Sequence, residues 1–307
     1  MQRSLMLFLG FMLLLCVPAA AEQPSMPTSA TTPPAINEGG RVDNPPAELD
    51  LTYKFQDGQI NRYQVQIMSG GSYLLLNQKQ EQKFETVTEM YFVQSIKFAG
   101  DGLYKVGCAL LSGVVRIPGF GQSTITLPEM TYTMDERGSV KKVSGLEKLS
   151  LLPGKPEQKS LALTLGQLSF QGFPKKALKI GDEWTRDYNV AINEDAKFAV
   201  KTTSKLIGYE KCDSYDCAKI ETSYEYPIAF ELADKVQGKL KLEGKESGAI
   251  ITRFAFLEGK MIRSEGDIKT DAKVTKADGS GSAYVKLQLN VVSRLLPPQP
   301  AAKKEGY

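Results

Sequence analysis

The chain has 307 residues, with 38 basic and 35 acidic side chains and a formal net charge of +3. Lys and Glu are interspersed, so there is no basic face of the kind that nucleic-acid binding requires. Histidine is absent, which removes Ser-His-Asp and Cys-His catalysis, the usual zinc and copper sites, and any histidine-based pH switch.

Residues 1–21 read as a secretory signal peptide. Arg3 makes a short positive start, an apolar run covers 5–17, and Ala19, Ala20 and Ala21 supply the small-residue cleavage site before Glu22. The run is short for a membrane span. Cys16 lacks the small residues that a lipobox places before its cysteine. The expected mature chain is exported to the periplasm or the cell surface, with no transmembrane span left after cleavage. Residues 22–48, rich in Pro, Ser, Thr, Ala and Gly, read as a disordered linker that buries too little to fold.

From residue 49 the pattern changes. Leu51, Tyr53 and Phe55 alternate, Asp57-Gly58 turns the chain, and Tyr63, Val65 and Ile67 alternate again. Further strands are predicted over 84–98, 103–111, 122–134 and 139–143. Thr, Val, Ile, Tyr and Phe dominate and turns recur, so the class is mainly antiparallel β. Within 145–170, the leucines at 146, 149 and 152 and then 161, 165 and 168 suggest a short helical segment. Leu161, Leu163 and Leu165 fit a strand equally.

Phe173-Pro174 opens a seam near the middle of the chain. Pro174 enforces extended backbone before it, Gly181-Asp182 is turn chemistry, and Trp184 is the only tryptophan. A tryptophan opening a strand plugs the end of a core more often than it stacks on a ligand. Pro174, Gly181 and Trp184 are therefore read as structural. After the seam, Tyr188, Val190 and Ile192 repeat the spacing of Tyr63, Val65 and Ile67. Ala218 to Ile220 echoes Tyr104 to Val106, and Phe256, Gly259 and Met261 echo Met134, Gly138 and Val140. The order is kept at offsets of roughly 115–125 residues, too long for a solenoid unit, which suggests an internal duplication. The expected organisation is a β domain with a short helical segment over 49–172, a second β domain over 173–297, and a disordered tail over 298–307.

Cys212 and Cys217 flank a turn between two strand-like runs and are expected to form a disulfide after export; a metal site is the weaker alternative. Cys108, in a strand pattern, reads as a buried free thiol.

The Phe-Pro segment leading to Gly181-Asp182-Glu183-Trp184 between two β-rich halves resembles a group of uncharacterised exported proteins of the bacterial envelope. The segment Glu258-Gly259-Lys260 before a long strand fits the same pattern. The halves are similar in pattern to the half-open barrels of the LolA/LolB-type lipoprotein carriers. That resemblance implies two tandem curved antiparallel sheets, each with a concave apolar face. It implies no catalytic residue and no cofactor. The carriers are single units, whereas this chain is doubled.

Nucleophile elbows and phosphate loops are absent. Glu81, Glu85, Glu89, Glu221 and Glu225 alternate with apolar residues, as a solvated sheet face does, although paired acids also serve glycosidases. In 84–98, Met90, Tyr91, Phe92 and Val93 are consecutive, so both faces carry apolar groups. Phe84, Met90, Phe92 and Phe98 are the candidate lining of an apolar groove; the competing reading makes them ordinary core. The functional expectation is a non-catalytic envelope protein binding a lipid or other apolar ligand on a concave sheet, with no metal. The alternative is a docking or assembly module for another envelope protein, and a carboxylate or lysine enzyme is the third reading.

Overall fold

The computed structural model describes residues 38–74, 79–119, 121–145, 170–191, 197–234, 238–276, 278–279 and 281–298. The expected signal peptide, the short helical segment and almost all of the tail lie outside these residues. The described strands are β1 (Glu38–Gly40), β2 (Ile60–Leu74), β3 (Gln82–Gly100), β4 (Leu103–Ile117), β5 (Gly121–Thr124), β6 (Met130–Asp135) and β7 (Val140–Ser144). In the second half come β8 (Glu183–Ala191), β9 (Lys197–Cys212), β10 (Tyr215–Asp234), β11 (Gly238–Ala255), β12 (Lys260–Lys276) and β13 (Ser282–Leu295). The mainly antiparallel β class expected from the alternation is the class the chain forms.

All thirteen strands belong to one open sheet with the order β1-β9-β10-β11-β12-β13-β2-β3-β4-β6-β7. β5 and β8 pair β4 and β9 respectively, off this path. Two curved sheets were expected; the chain forms two meanders of a single sheet. They meet where β13 pairs β2 antiparallel, with Val291 opposite Ile67, Leu289 opposite Ser69 and Leu287 opposite Gly71. Each meander is local hairpin chemistry. Between β3 and β4, for example, Asp101 and Gly102 both take positive φ (51° and 71°), the signature of a two-residue turn whose twist suits flanking strands.

Curvature follows from the core. One buried cluster unites Ile96, Val106, Tyr132 and Met134 from β3, β4 and β6 with Trp184, Leu206, Ile220 and Phe254 from β8 to β11. Strands so far apart in the order share a core only if the sheet curls. Two segments fill the space between them. Leu51, Tyr53 and Phe55 come from one, Phe173 and Leu178 from the other. The segments pair with each other through Leu49 and Leu178, whose N–H groups each donate to the other's carbonyl at 2.8 and 2.9 Å. The Tyr53 and Phe173 N–H groups donate to the carbonyls of Glu136 and Arg137 in the β6–β7 turn.

A two-bond clasp is built twice. Gly58 donates to the carbonyl of Ile96, whose N–H donates to Gln59; Gly181 donates to the carbonyl of Leu206, whose N–H donates to Asp182. The folded chain begins earlier than the expected linker boundary. Within 38–48, β1 pairs the end of β9 and Val42 is buried in the main core.

Candidate functional site

Side chains of directly paired residues share a face, so the register sorts the sheet into two faces. One row reads Tyr226, Glu246, Thr270, Leu287, Gly71 and Phe84 from β10 to β3. The row offset by one residue toward the β12–β13 turn reads Lys245, Asp271, Lys286, Ser72 and Lys83. The first belongs to the inner face of the curl, the second to the outer. The inner face is apolar and aromatic, the outer one charged.

Three of the four candidate groove residues come together on the inner face. Met90 is buried, and Phe84 and Phe92 are half-buried against the same cluster, which holds Ile67, Leu287 and Leu289. Thr88 lies between them on β3 and is also buried. Phe98 does not join them. It has the same parity, but β3 carries it about 20 Å beyond Phe92 at the rise of an extended strand. There it is 58% exposed and meets Tyr104 edge to face, with ring centroids 6.2 Å apart. Of the consecutive apolar run, Tyr91 and Val93 lie on the outer face. The Tyr91 hydroxyl donates to Glu89 at 2.9 Å and accepts from Gln64.

A polar island interrupts the inner face. The buried Glu246 carboxylate accepts from the Tyr224 hydroxyl at 3.3 Å and from Thr270 Oγ1 at 3.0 Å, and the Tyr226 hydroxyl also bonds it. Burial pushes the carboxyl above the usual carboxylate range, while these hydrogen bonds pull it back. Tyr224 and Tyr226 stack with centroids 6.1 Å apart. Gly248, opposite Tyr224, leaves the space that its ring occupies.

The seam residues close one end of the curl. Trp184 is buried, and its Nε1–H donates to the Gly172 carbonyl at 2.8 Å. The Pro174 carbonyl accepts from the Arg137 guanidinium at 3.0 Å, and Gly181 takes φ +95° at the clasp to Leu206.

Cys212 and Cys217 are free thiols, both buried, rather than the expected disulfide. Cys212 stands opposite Tyr215 and Cys217 opposite Glu210, so the two are diagonal neighbours. The two thiols are nonetheless in hydrogen-bond contact across the hairpin. Contact with Cys212 and burial raise the Cys217 thiol above its ordinary range. Cys108 is also free, and burial pushes it up to about 12.

The outer face carries two features that single-strand patterns do not reveal. Arg253, Arg263 and Arg294 stand in register on β11, β12 and β13. Arg253 is buried and ion-paired to both Glu210 and Glu265, and Arg294 Nε donates to Gln64 at 2.7 Å. Farther along the same strands lies a concavity of about 960 Å³ around Gly70, rimmed by Lys83, Lys245, Lys269 and Lys286. The lysines come from four strands, and only the register assembles them.

No family model and no curated protein matches the chain. Among solved structures it is similar to a lipovitellin described for its lipid–protein interactions, at 13% identity and a TM-score of 0.35. That match covers 82% of this chain and 26% of the lipovitellin, so the chain spans about a quarter of that protein's length. An outer membrane channel from Pseudomonas putida F1 matches at 10% identity and a TM-score of 0.27, covering 83% of this chain and 100% of the channel. A protein from Bacteroides fragilis described as exported, with a YmcC-like fold, matches at 9% identity and a TM-score of 0.22, over 80% and 99% of the two chains.

Proposed function

We propose that this chain is a non-catalytic protein of the bacterial cell envelope that holds a lipid or other apolar ligand against the inner face of its curled sheet. Export rests on the signal-peptide pattern of residues 1–21. The observation that carries the binding reading is the Met90 cluster. It spans five adjacent strands, from Ile268 on β12 to Leu110 on β4, and Val65, Phe84, Phe92, Val285 and Val291 remain only partly buried within it. Among the described residues its only members from outside the strands are Ile125 and Leu127. A contiguous apolar surface of this extent favours an occupant. The Glu246 island beside it supplies hydroxyls and a carboxyl able to meet the polar end of such a ligand.

Solvent extraction of the natively purified protein, followed by mass spectrometry, is expected to yield a bound lipid. An apolar fluorescent probe is expected to bind and to be displaced by fatty acid or phospholipid. Phe84→Asp and Phe92→Asp, both at half-buried positions, are expected to lose the probe while retaining the β circular-dichroism spectrum. If the wild-type protein binds no probe and yields no lipid, the cluster is ordinary core and the docking-module reading takes its place.

A further inference from the structure

We infer that the concavity on the charged face is a binding site for a ligand carrying more than one phosphate group. It lies on the opposite side of the sheet from the proposed apolar site, so the two readings stand or fall separately. The trough exists because Gly70 presents no side chain where β2 crosses its floor, while long side chains rise from the strands on either side. Its volume of about 960 Å³ falls in the range of small-molecule sites.

The lining holds four lysines against two acids, Glu85 and Asp271. Lys245 reaches Glu225 at 3.6 Å across an exposed pair, which contributes little. Among the described residues Lys83, Lys269 and Lys286 form no ion pair. Glu81, outside the lining, bonds Ser72 and Tyr284, and its exposed carboxylate also attracts Lys286 and Lys83, an attraction that solvent screens. Lys245, Lys286 and Lys83 lie in one register row, separated by the β12 and β2 strands. With strands about 4.8 Å apart, their backbones follow at steps of about 10 Å. Lys269 stands two residues away on β12. Compact ammonium groups so spaced around a trough suit separated phosphates, to which lysine binds as a point charge. Hydroxyls of Ser72 and Ser247 lie among them.

Titration calorimetry of the full chain with sodium tripolyphosphate tests this. The wild type is expected to bind, with an affinity that falls as salt is raised. Lys269→Glu combined with Lys286→Glu should weaken binding about tenfold or more. Gly70→Val should block the floor without unfolding the protein, because a Cβ there meets only Phe84 O at 3.7 Å and Glu85 Cγ at 3.8 Å. Lys241→Glu, on β11 but away from the trough, should keep the affinity and so controls for net charge. Co-sedimentation with phosphatidylcholine vesicles containing cardiolipin, whose headgroup carries two phosphates, separates the sources. Vesicle binding that Gly70→Val removes assigns the trough to a lipid headgroup. Tripolyphosphate binding without vesicle binding assigns it to a soluble phosphate ester. Failure of the wild type to bind either probe, or binding that survives Gly70→Val, overturns the inference.

Discussion

The Trp184 indole is hydrogen-bonded to the carbonyl of Gly172, twelve residues earlier, at 2.8 Å. This contact fastens the first residues of β8 to the segment that plugs the curl. Arg186 packs so closely over Gly172 that a Cβ there would overlap its guanidinium. Trp184→Phe keeps an aromatic ring but leaves the buried carbonyl without its donor, an expected loss of about 1–3 kcal/mol. Trp184→Ala adds a cavity and should cost about 3–5 kcal/mol. Urea unfolding measures both, and a Phe variant as stable as the wild type would show that the bond contributes nothing net.

Gly70 and Gly71 are neighbours with opposite tolerances. A Cβ on Gly71 would overlap the Lys286 carbonyl oxygen across the β2–β13 seam, whereas one on Gly70 meets only ordinary contacts. Gly71→Ala should therefore destabilise by about 1–3 kcal/mol, and Gly70→Ala should be neutral or slightly stabilising. Thermal melts of the two variants check the contrast; equal melting temperatures would contradict the close approach at Gly71.

Glu246 gives the fold a pH dependence with a definite sign. Its carboxyl holds a proton more tightly in the folded chain than in the unfolded one. The stability due to that proton is fully present below the ordinary carboxylate range and is lost as pH rises through the raised native value. Glu246→Gln keeps an acceptor for Tyr224, Tyr226 and Thr270 but does not titrate. Its melting temperature relative to the wild type should rise with pH over that window. A constant difference across the window would place the titration elsewhere.

Cys212 and Cys217 are both buried, and contact with Cys212 together with burial holds the Cys217 thiol above its ordinary range. Neither should react with iodoacetamide at neutral pH while the chain is folded, and both should react once it is denatured. Mass spectrometry of tryptic peptides reads the labelling. Rapid labelling of the folded protein would mean that this end of the β9–β10 hairpin opens readily.

The strands were legible because alternation is local. Tyr63, Val65 and Ile67 show their inner face within five residues, and Asp101-Gly102 names its own turn. The joining of the meanders was not legible, since nothing in 282–295 specifies β2 as its partner rather than another strand. The same limit applies to the candidate sites. Parity alone groups Phe84, Met90, Phe92 and Phe98, but only strand length in three dimensions separates Phe98 from the rest. The cysteines looked opposed across a turn, and a two-residue offset in register made them diagonal. Glu246 and the lysine trough depend on residues from three or more strands, and no window of sequence contains them.

The pairing of β13 with β2 also has a kinetic meaning. A chain made or translocated from its N-terminus presents β2 long before residues 282–295 arrive. Until then β2 has β3 on one side and an unpaired edge on the other, with Tyr63, Val65 and Ile67 uncovered. Such non-local closure is slow, and exposed strand edges invite pairing between molecules. The interval between emergence of β2 and arrival of β13 is therefore the time at which the unfinished chain most needs a chaperone.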